Sequence, residues 1–305
     1  MGQQLDDELN ISKRCQGRHY VRTLLDSFEI DRASDKHLCH VHPPLWESVW
    51  AFLHRNPIGR LPPTVLTGVL RFLSLALDYL QTECKIIHTG FWPDTYISAG
   101  NIIIGIEDDS VFSEFEEREM QIPGPRKVVG PDGRTIYLCQ DLRMPKRIGH
   151  PILCDLGSAV PGDIEHSEDI QPSFYRAPEV VLGVPWTYSV DIWNVGCMIW
   201  DIFEGAHLFT GYDPEFEQYR SRAHLADMIN LLGPPPSSLL EQDKGSTAAN
   251  SLLRNVSEPN YDQSFSCPNL LTIYECLDEF RARDLLKNHF PLEERETTLE
   301  GQDKV

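Results

Sequence analysis

Four groups of residues in this chain are of types that could do chemistry, and they occur in a fixed order. His88 is followed by Asn101, which leads the apolar run Ile102-Ile103-Ile104-Gly105-Ile106. Asp155-Leu156-Gly157 follows a short apolar stretch, and Tyr175-Arg176-Ala177-Pro178-Glu179 comes next. Asp191-Ile192-Trp193 with Gly196-Cys197 closes the set. Asn101 and Asp155 offer hard oxygen donors, the kind a small divalent cation takes. Each residue also has a plain structural use. Asn101 could be a turn residue, Asp155 a strand-end turn, and Glu179 a first-turn helix acid after Pro178. Asp191 suits a structural role in either case, and His88 suits a packed, hydrogen-bonded place rather than that of a base. Any one piece alone is weak; the ordered set carries the signal.

These residues need elements to position them. "RHYVRTLLDSFEI" (18–30) and "KHLCHVHPP" (36–44) read as two strands joined at "DRASD". "LWESVWAFLHR" reads as a short helix stopped by Asn56 and Pro57. In 63–83, Leu66, Leu70, Leu73, Leu77 and Leu80 recur at three- and four-residue steps, which predicts an amphipathic helix. Residues 110–145 are polar with an acidic start and read as a surface insertion, with a hairpin turn at Pro131-Asp132-Gly133. "PILCDLGSAV" (151–160) predicts a short buried strand ending in a turn. "SVDIWNVGCMIWDIFEG" (189–205) is apolar on nearly every face, as a central helix would be. A further helix opens at His224 and ends at Gly233 and three prolines; beyond Asn250 the pattern is weak.

Composition bounds the class. At 305 residues, 41% of them apolar, the chain can bury a sizeable core in one large domain or two modest ones. A formal charge of −19 repels nucleic acid and anionic membrane, and favours a basic partner such as an Arg-rich peptide. The eight cysteines form no CxxC pair and read as reduced, mostly buried thiols of the cytoplasm or nucleus. The start has no apolar leader segment, and no uninterrupted apolar run approaches the roughly 18 residues that span a bilayer.

The ordered set resembles the eukaryotic protein kinases. "YRAPEVVLG", "DIWNVGCMIW" and "LADMINLLGPPP" are similar to the cyclin-dependent, Clk and SR-protein kinase group. "LLDSFEI", "GIEDDSVF" and "LEGQDKV" look most like fungal relatives of the SR-protein kinases. The resemblance covers about residues 18–305 and implies an α+β, protein-kinase-like fold. It implies a disordered start over 1–17, an N-lobe remnant of two strands and hinge over 18–44, and a mostly helical C-lobe over 45–305. A surface insertion at about 110–148 and an incomplete C-terminal end complete that division. By resemblance, ATP is the phosphate donor and an Arg/Ser-rich protein the acceptor. Asn101 and Asp155 would hold Mg²⁺. The Pro43 carbonyl and Leu45 N–H would face adenine, with His42 beside them as gatekeeper. Glu179 would anchor the activation segment through a buried ion pair, and Asp191 would cap catalytic-loop amides.

The pattern breaks where chemistry matters most. The family places an Asp five residues before Asn101; here that residue is Tyr96, and the nearest acid, Asp94, is seven away. A phenol with pKa about 10 cannot take a proton at neutral pH as a carboxylate can. Two extra residues shift a side chain by roughly 6 Å along an extended chain, which makes Asp94 a poor substitute. "GFWPDTY" (90–96) stands where related kinases carry one residue, as an unspliced intron would read. No Gly-rich loop or strand lysine precedes Arg18, and the usual Arg partner of Glu179 is expected in the part missing from the end. The predictions are therefore a Ser/Thr kinase family member impaired in catalysis, a non-catalytic module binding basic peptides, or a gene-model fragment.

Overall fold

The computed structural model describes residues 16–32, 35–57, 59–89, 96–129, 133–138 and 140–240. It begins with a 3₁₀ turn, Gln16–Tyr20. Strand β1 (Asp26–Arg32) pairs antiparallel with β2 (Asp35–Val41), with Phe28 opposite Cys39. β3 (Leu45–Ser48) leads directly into α1 (Val49–Arg55). The strand expected over 18–30 is thus shorter, and the segment expected to be all helix from Leu45 opens as a strand. Packing explains the first difference. Gly17 lies so close to the helix Pro63–Tyr79 that an added Cβ would sit 2.3 Å from the Tyr79 Cβ, and the Tyr20 ring lies 5.0 Å from that of Phe72. Ser48 explains the second. Its hydroxyl accepts from Ala51 N–H at 3.1 Å, which caps α1 at Val49.

Helix α2 (Pro63–Tyr79) runs on through a π turn, Leu80–Cys84, that ends at Lys85 with φ 57°. Pro63 fits its first turn. Leu66, Leu70, Leu73 and Leu77 all lie buried along one stripe. Contrary to the count of uninterrupted apolar residues, Pro63–Cys84 is long and apolar enough to cross a membrane by length and composition alone. Arg71 and Asp78 interrupt the run without abolishing that character. In the structure its apolar stripe packs into the core.

Next come β4 (Ile86–Ile87), β5 (Ile102–Ile106), helix α3 (Ser110–Gln121), the hairpin β6 (Arg126–Val129) with β7 (Arg134–Tyr137), and β8 (Ile148–Leu153). β5 lies between β3 and β8, antiparallel to both, with Ile102 opposite Leu153. α3 is an element that the acidic, polar composition of 110–121 did not signal. β9 (Val160–Pro161) pairs with β4. α4 (Pro178–Leu182), the central α5 (Ser189–Glu204) and α6 (Ser221–Leu232) follow. α2 and α5 supply the middle of the core, where Leu73, Ala76 and Leu77 share a cluster with Cys197, Met198 and Ile202. Burying each such leucine contributes about 1.5–3 kcal/mol. Predicted features over 1–15 and 241–305 lie outside the described residues.

Candidate functional site

The site is assembled where β4, β5, β8 and the start of α5 meet. Asp191, fully buried in the first turn of α5, accepts from His88 N–H through Oδ2 at 2.8 Å and from Thr89 N–H through Oδ1 at 2.9 Å. Burial pushes its carboxyl above the usual range, while His88 and these N–H groups oppose that rise. The loop after β4 is thereby tied to the central helix across about a hundred residues of sequence. His88 Nε2 lies 2.9 Å from the Cys154 carbonyl. A carbonyl only accepts, so Nε2 carries the hydrogen. His88 Nδ1 is buried without a partner among the described residues.

Asn101 stands at the entry to β5. Its side-chain amide donates to the Tyr96 carbonyl at 2.9 Å, so the Nδ2 end is committed and Oδ1 is the oxygen left to bind. Its own carbonyl accepts from Cys154 N–H at 2.8 Å, which fixes the following residue, Asp155, beside it. Asp155 is exposed and has φ 65°, the left-handed region, at a position where the chain turns out of β8. Asn101 and Asp155 are therefore neighbours at the ends of two paired strands. The Tyr96 ring packs edge-on against Tyr175, with centroids 5.0 Å apart. Asp94 lies outside the described residues.

Glu179, in the first turn of α4, is buried and accepts from the Ser189 hydroxyl at 2.7 Å. It has no ion pair among the described residues. The segment before it is held by Gln171, which has φ 68°. Gln171 Oε1 accepts from Ala177 N–H at 2.7 Å, and its Nε2 donates to the Val190 carbonyl at 3.0 Å. Tyr175 donates to Asp201 at 2.8 Å, and His207 Nδ1 lies 2.7 Å from the same oxygen. Burial raises both the Tyr175 phenol and the Asp201 carboxyl above their ordinary ranges. Asn194 links the two halves: its Oδ1 accepts from the Thr89 hydroxyl at 3.4 Å and its Nδ2 donates to the Tyr175 carbonyl at 3.2 Å.

Thr89, Gln171, Ser189, Asn194 and Asp201 were not singled out from the sequence. Asn194 was findable, since it follows Asp191 by three positions and so shares its helix face. Gln171 carried no signal, because its role depends on a backbone conformation that its residue type does not announce.

A cleft of about 560 Å³ is lined by Phe28, Val41, His42, Pro43, Leu45 and Ile103, among others. Pro43 and Leu45 thus both line it. His42 Nδ1 lies 3.0 Å from the Thr23 carbonyl.

With this geometry in view, comparison with known proteins gives a consistent result. The protein kinase domain pattern matches residues 146–275. A serine/threonine protein kinase of Aspergillus fumigatus is 42% identical over 74% of this chain and 53% of its own length. The serine/threonine-protein kinase SRPK of Physarum polycephalum is 29% identical over 74% of this chain and 55% of its own length. The serine/threonine-protein kinase SKY1 of Saccharomyces cerevisiae is 38% identical over 39% of this chain and 16% of its own length. The chain carries a protein kinase domain over residues 146–275, and its relatives support a Ser/Thr kinase of the SR-protein-kinase-like group. It spans about half the length of the first of these relatives.

Protein kinases as a family use ATP and Mg²⁺. The donor set here fits the metal: one amide oxygen and one exposed carboxylate, side by side on paired strands, are hard ligands. The cleft fits a flat aromatic base, being walled by Phe28, Val41, Leu45 and Ile103.

Proposed function

We propose that this chain is a kinase-family module that holds Mg²⁺–ATP and a basic, Arg/Ser-rich peptide but is impaired in phosphoryl transfer. One observation carries this reading. The residue whose carbonyl holds the Asn101 amide is Tyr96, and its ring packs on Tyr175. The backbone duty of that position is performed; no carboxylate is offered from it.

In this reading Asn101 and Asp155 hold the metal, and the cleft at Pro43 and Leu45 takes the base. Bound there, Mg²⁺ would neutralise phosphate charge. Asp191 keeps the loop in shape by accepting from His88 and Thr89. Glu179 ties α4 to the start of α5 through Ser189, and Gln171 ties the segment before α4 to Ala177 and Val190. The boundary between the two lobes falls at Pro44–Leu45. Three considerations support a basic peptide as partner: the −19 charge, the name of the Physarum relative, and the resemblance to SR-protein kinases. Free thiols at Cys39, Cys154 and Cys197 agree with a cytoplasmic or nuclear setting.

Equilibrium titration tests the binding half. A fluorescent ATP analogue should bind in a Mg²⁺-dependent way to the wild type, and Asp155→Ala should abolish the Mg²⁺ dependence. An Arg-Ser repeat peptide should bind both proteins, more weakly as salt rises. Failure of the wild type to bind either probe would remove the proposal.

A further inference from the structure

The hairpin β6–β7 stands apart from every other sheet among the described residues. Its ladder pairs Arg126 with Tyr137, Lys127 with Ile136, Val128 with Thr135 and Val129 with Arg134. Leu138 N–H donates to the Pro125 carbonyl at 2.8 Å. In an antiparallel ladder bonded and unbonded pairs alternate, so the bonded pairs here are Lys127–Ile136 and Val129–Arg134. The backbone N–H and C=O groups of Arg126 and Val128 therefore point outward from β6. They form an unpaired strand edge, and both faces beside it are open. Val128 is 65% exposed and Tyr137 66% on one face, and Ile136 48% on the other.

An isolated two-stranded hairpin is marginal in water, and an apolar one with free edges is a template for another strand. Charge selects which strand. Arg126 and Lys127 are both exposed, one on each face, and neither has an acidic partner among the described residues. The chain as a whole carries −19, so an acidic peptide is repelled from most of its surface and attracted at this edge.

We infer that the outer edge of β6 is a docking site for an extended acidic–apolar peptide of a partner protein, added as an antiparallel third strand. The register dictates its pattern. Running opposite to Arg126–Val129, the partner places two apolar residues against Val129 and Val128, then two acidic residues against Lys127 and Arg126. Hydrogen bonds to Arg126 and Val128 hold its backbone. A lipid surface would use the apolar and basic groups and leave the strand edge unused, so the edge favours a peptide. The inference is independent of nucleotide binding and of the basic peptide proposed above.

The test uses the full chain and a fluorescein-labelled Ser-Ser-Ile-Val-Glu-Asp-Ser-Ser peptide, read by anisotropy. Val128→Pro removes an outward donor and leaves the bonded pairs of the hairpin intact. The double variant Arg126→Glu with Lys127→Glu reverses the charge. The wild type should bind saturably below about 1 mM, and each variant should lose about tenfold or more. The charge-reversed variant should regain binding to a peptide with Lys-Arg in place of Glu-Asp. Absence of saturable binding by the wild type would overturn the inference. So would Val128→Pro binding like the wild type, or binding of anionic phosphatidylserine vesicles without binding of the peptide.

Discussion

The side-chain amide of Asn101 donates to the carbonyl of Tyr96 at 2.9 Å. This bond keeps the entry to β5 in a shape that presents an oxygen ligand beside Asp155. At the same position it substitutes a phenol ring, packed on Tyr175, for the acid that related kinases carry. In the proposed reading holding and reacting are thus separated: Asn101 and Asp155 stand side by side, and Tyr96 offers no carboxylate from its position.

The tie between Asp191 and the loop should matter more to stability than any surface contact. Asp191→Ala leaves the His88 and Thr89 N–H groups without acceptors in a fully buried place. A hydrogen bond to a charged group contributes about 1.5–3 kcal/mol. Loss of both should lower the unfolding free energy by about 3 kcal/mol or more, as measured by urea denaturation.

The cap on α1 is a smaller and more local test. Ser48→Ala removes the acceptor for Ala51 N–H at the point where β3 becomes helix. The expected loss is about 1 kcal/mol by the same denaturation measurement. Ser48→Asp, which can still cap, should recover most of it.

Acid should weaken the fold through His224. It is fully buried, and its Nε2 lies 3.0 Å from the Arg176 carbonyl. Burial holds its pKa below the ordinary value of 6.5. The unfolded chain therefore takes up a proton first as pH falls. The contribution to stability is fully present above about pH 6.5 and is lost as pH drops through that value toward the folded pKa. His224→Gln should lose less stability between pH 7.5 and pH 5.5 than the wild type does; equal losses would reject the assignment.

The buried thiols give a chemical check on the core. Burial pushes the Cys154 thiol up to about 11 and raises Cys197 as well. At pH 8 only about one Cys154 in a thousand is thiolate, the reactive form. Iodoacetamide followed by peptide mapping should label Cys154 and Cys197 only after denaturation. Cys39, which is half-buried, should react in the native protein.

Much of this was legible in the residues. The leucine stripe of α2 and the all-round apolar α5 follow from periodicity, because a helix core face must repeat every three to four residues. The pairing of Asn101 with Asp155 and the setting of Asp191 followed from resemblance, not from spacing. What stayed hidden depends on tertiary contact. Gln171 acts through a left-handed backbone, and Glu179, expected to lack its usual arginine, takes a hydroxyl from Ser189. The turn at Gln16–Tyr20 forms where a strand was expected, because Gly17 and Tyr20 pack on α2. Propensity favoured a strand there, and packing on a neighbouring helix overrode it.

The most direct test is phosphoryl transfer itself. Purified chain is incubated with labelled ATP, Mg²⁺ and an Arg-Ser repeat peptide, beside the Asp155→Ala variant. Label on the peptide should be equally low in both. Transfer by the wild type clearly above the variant would contradict the account, because a chain with Tyr96 in that position would then have found another way to orient the acceptor.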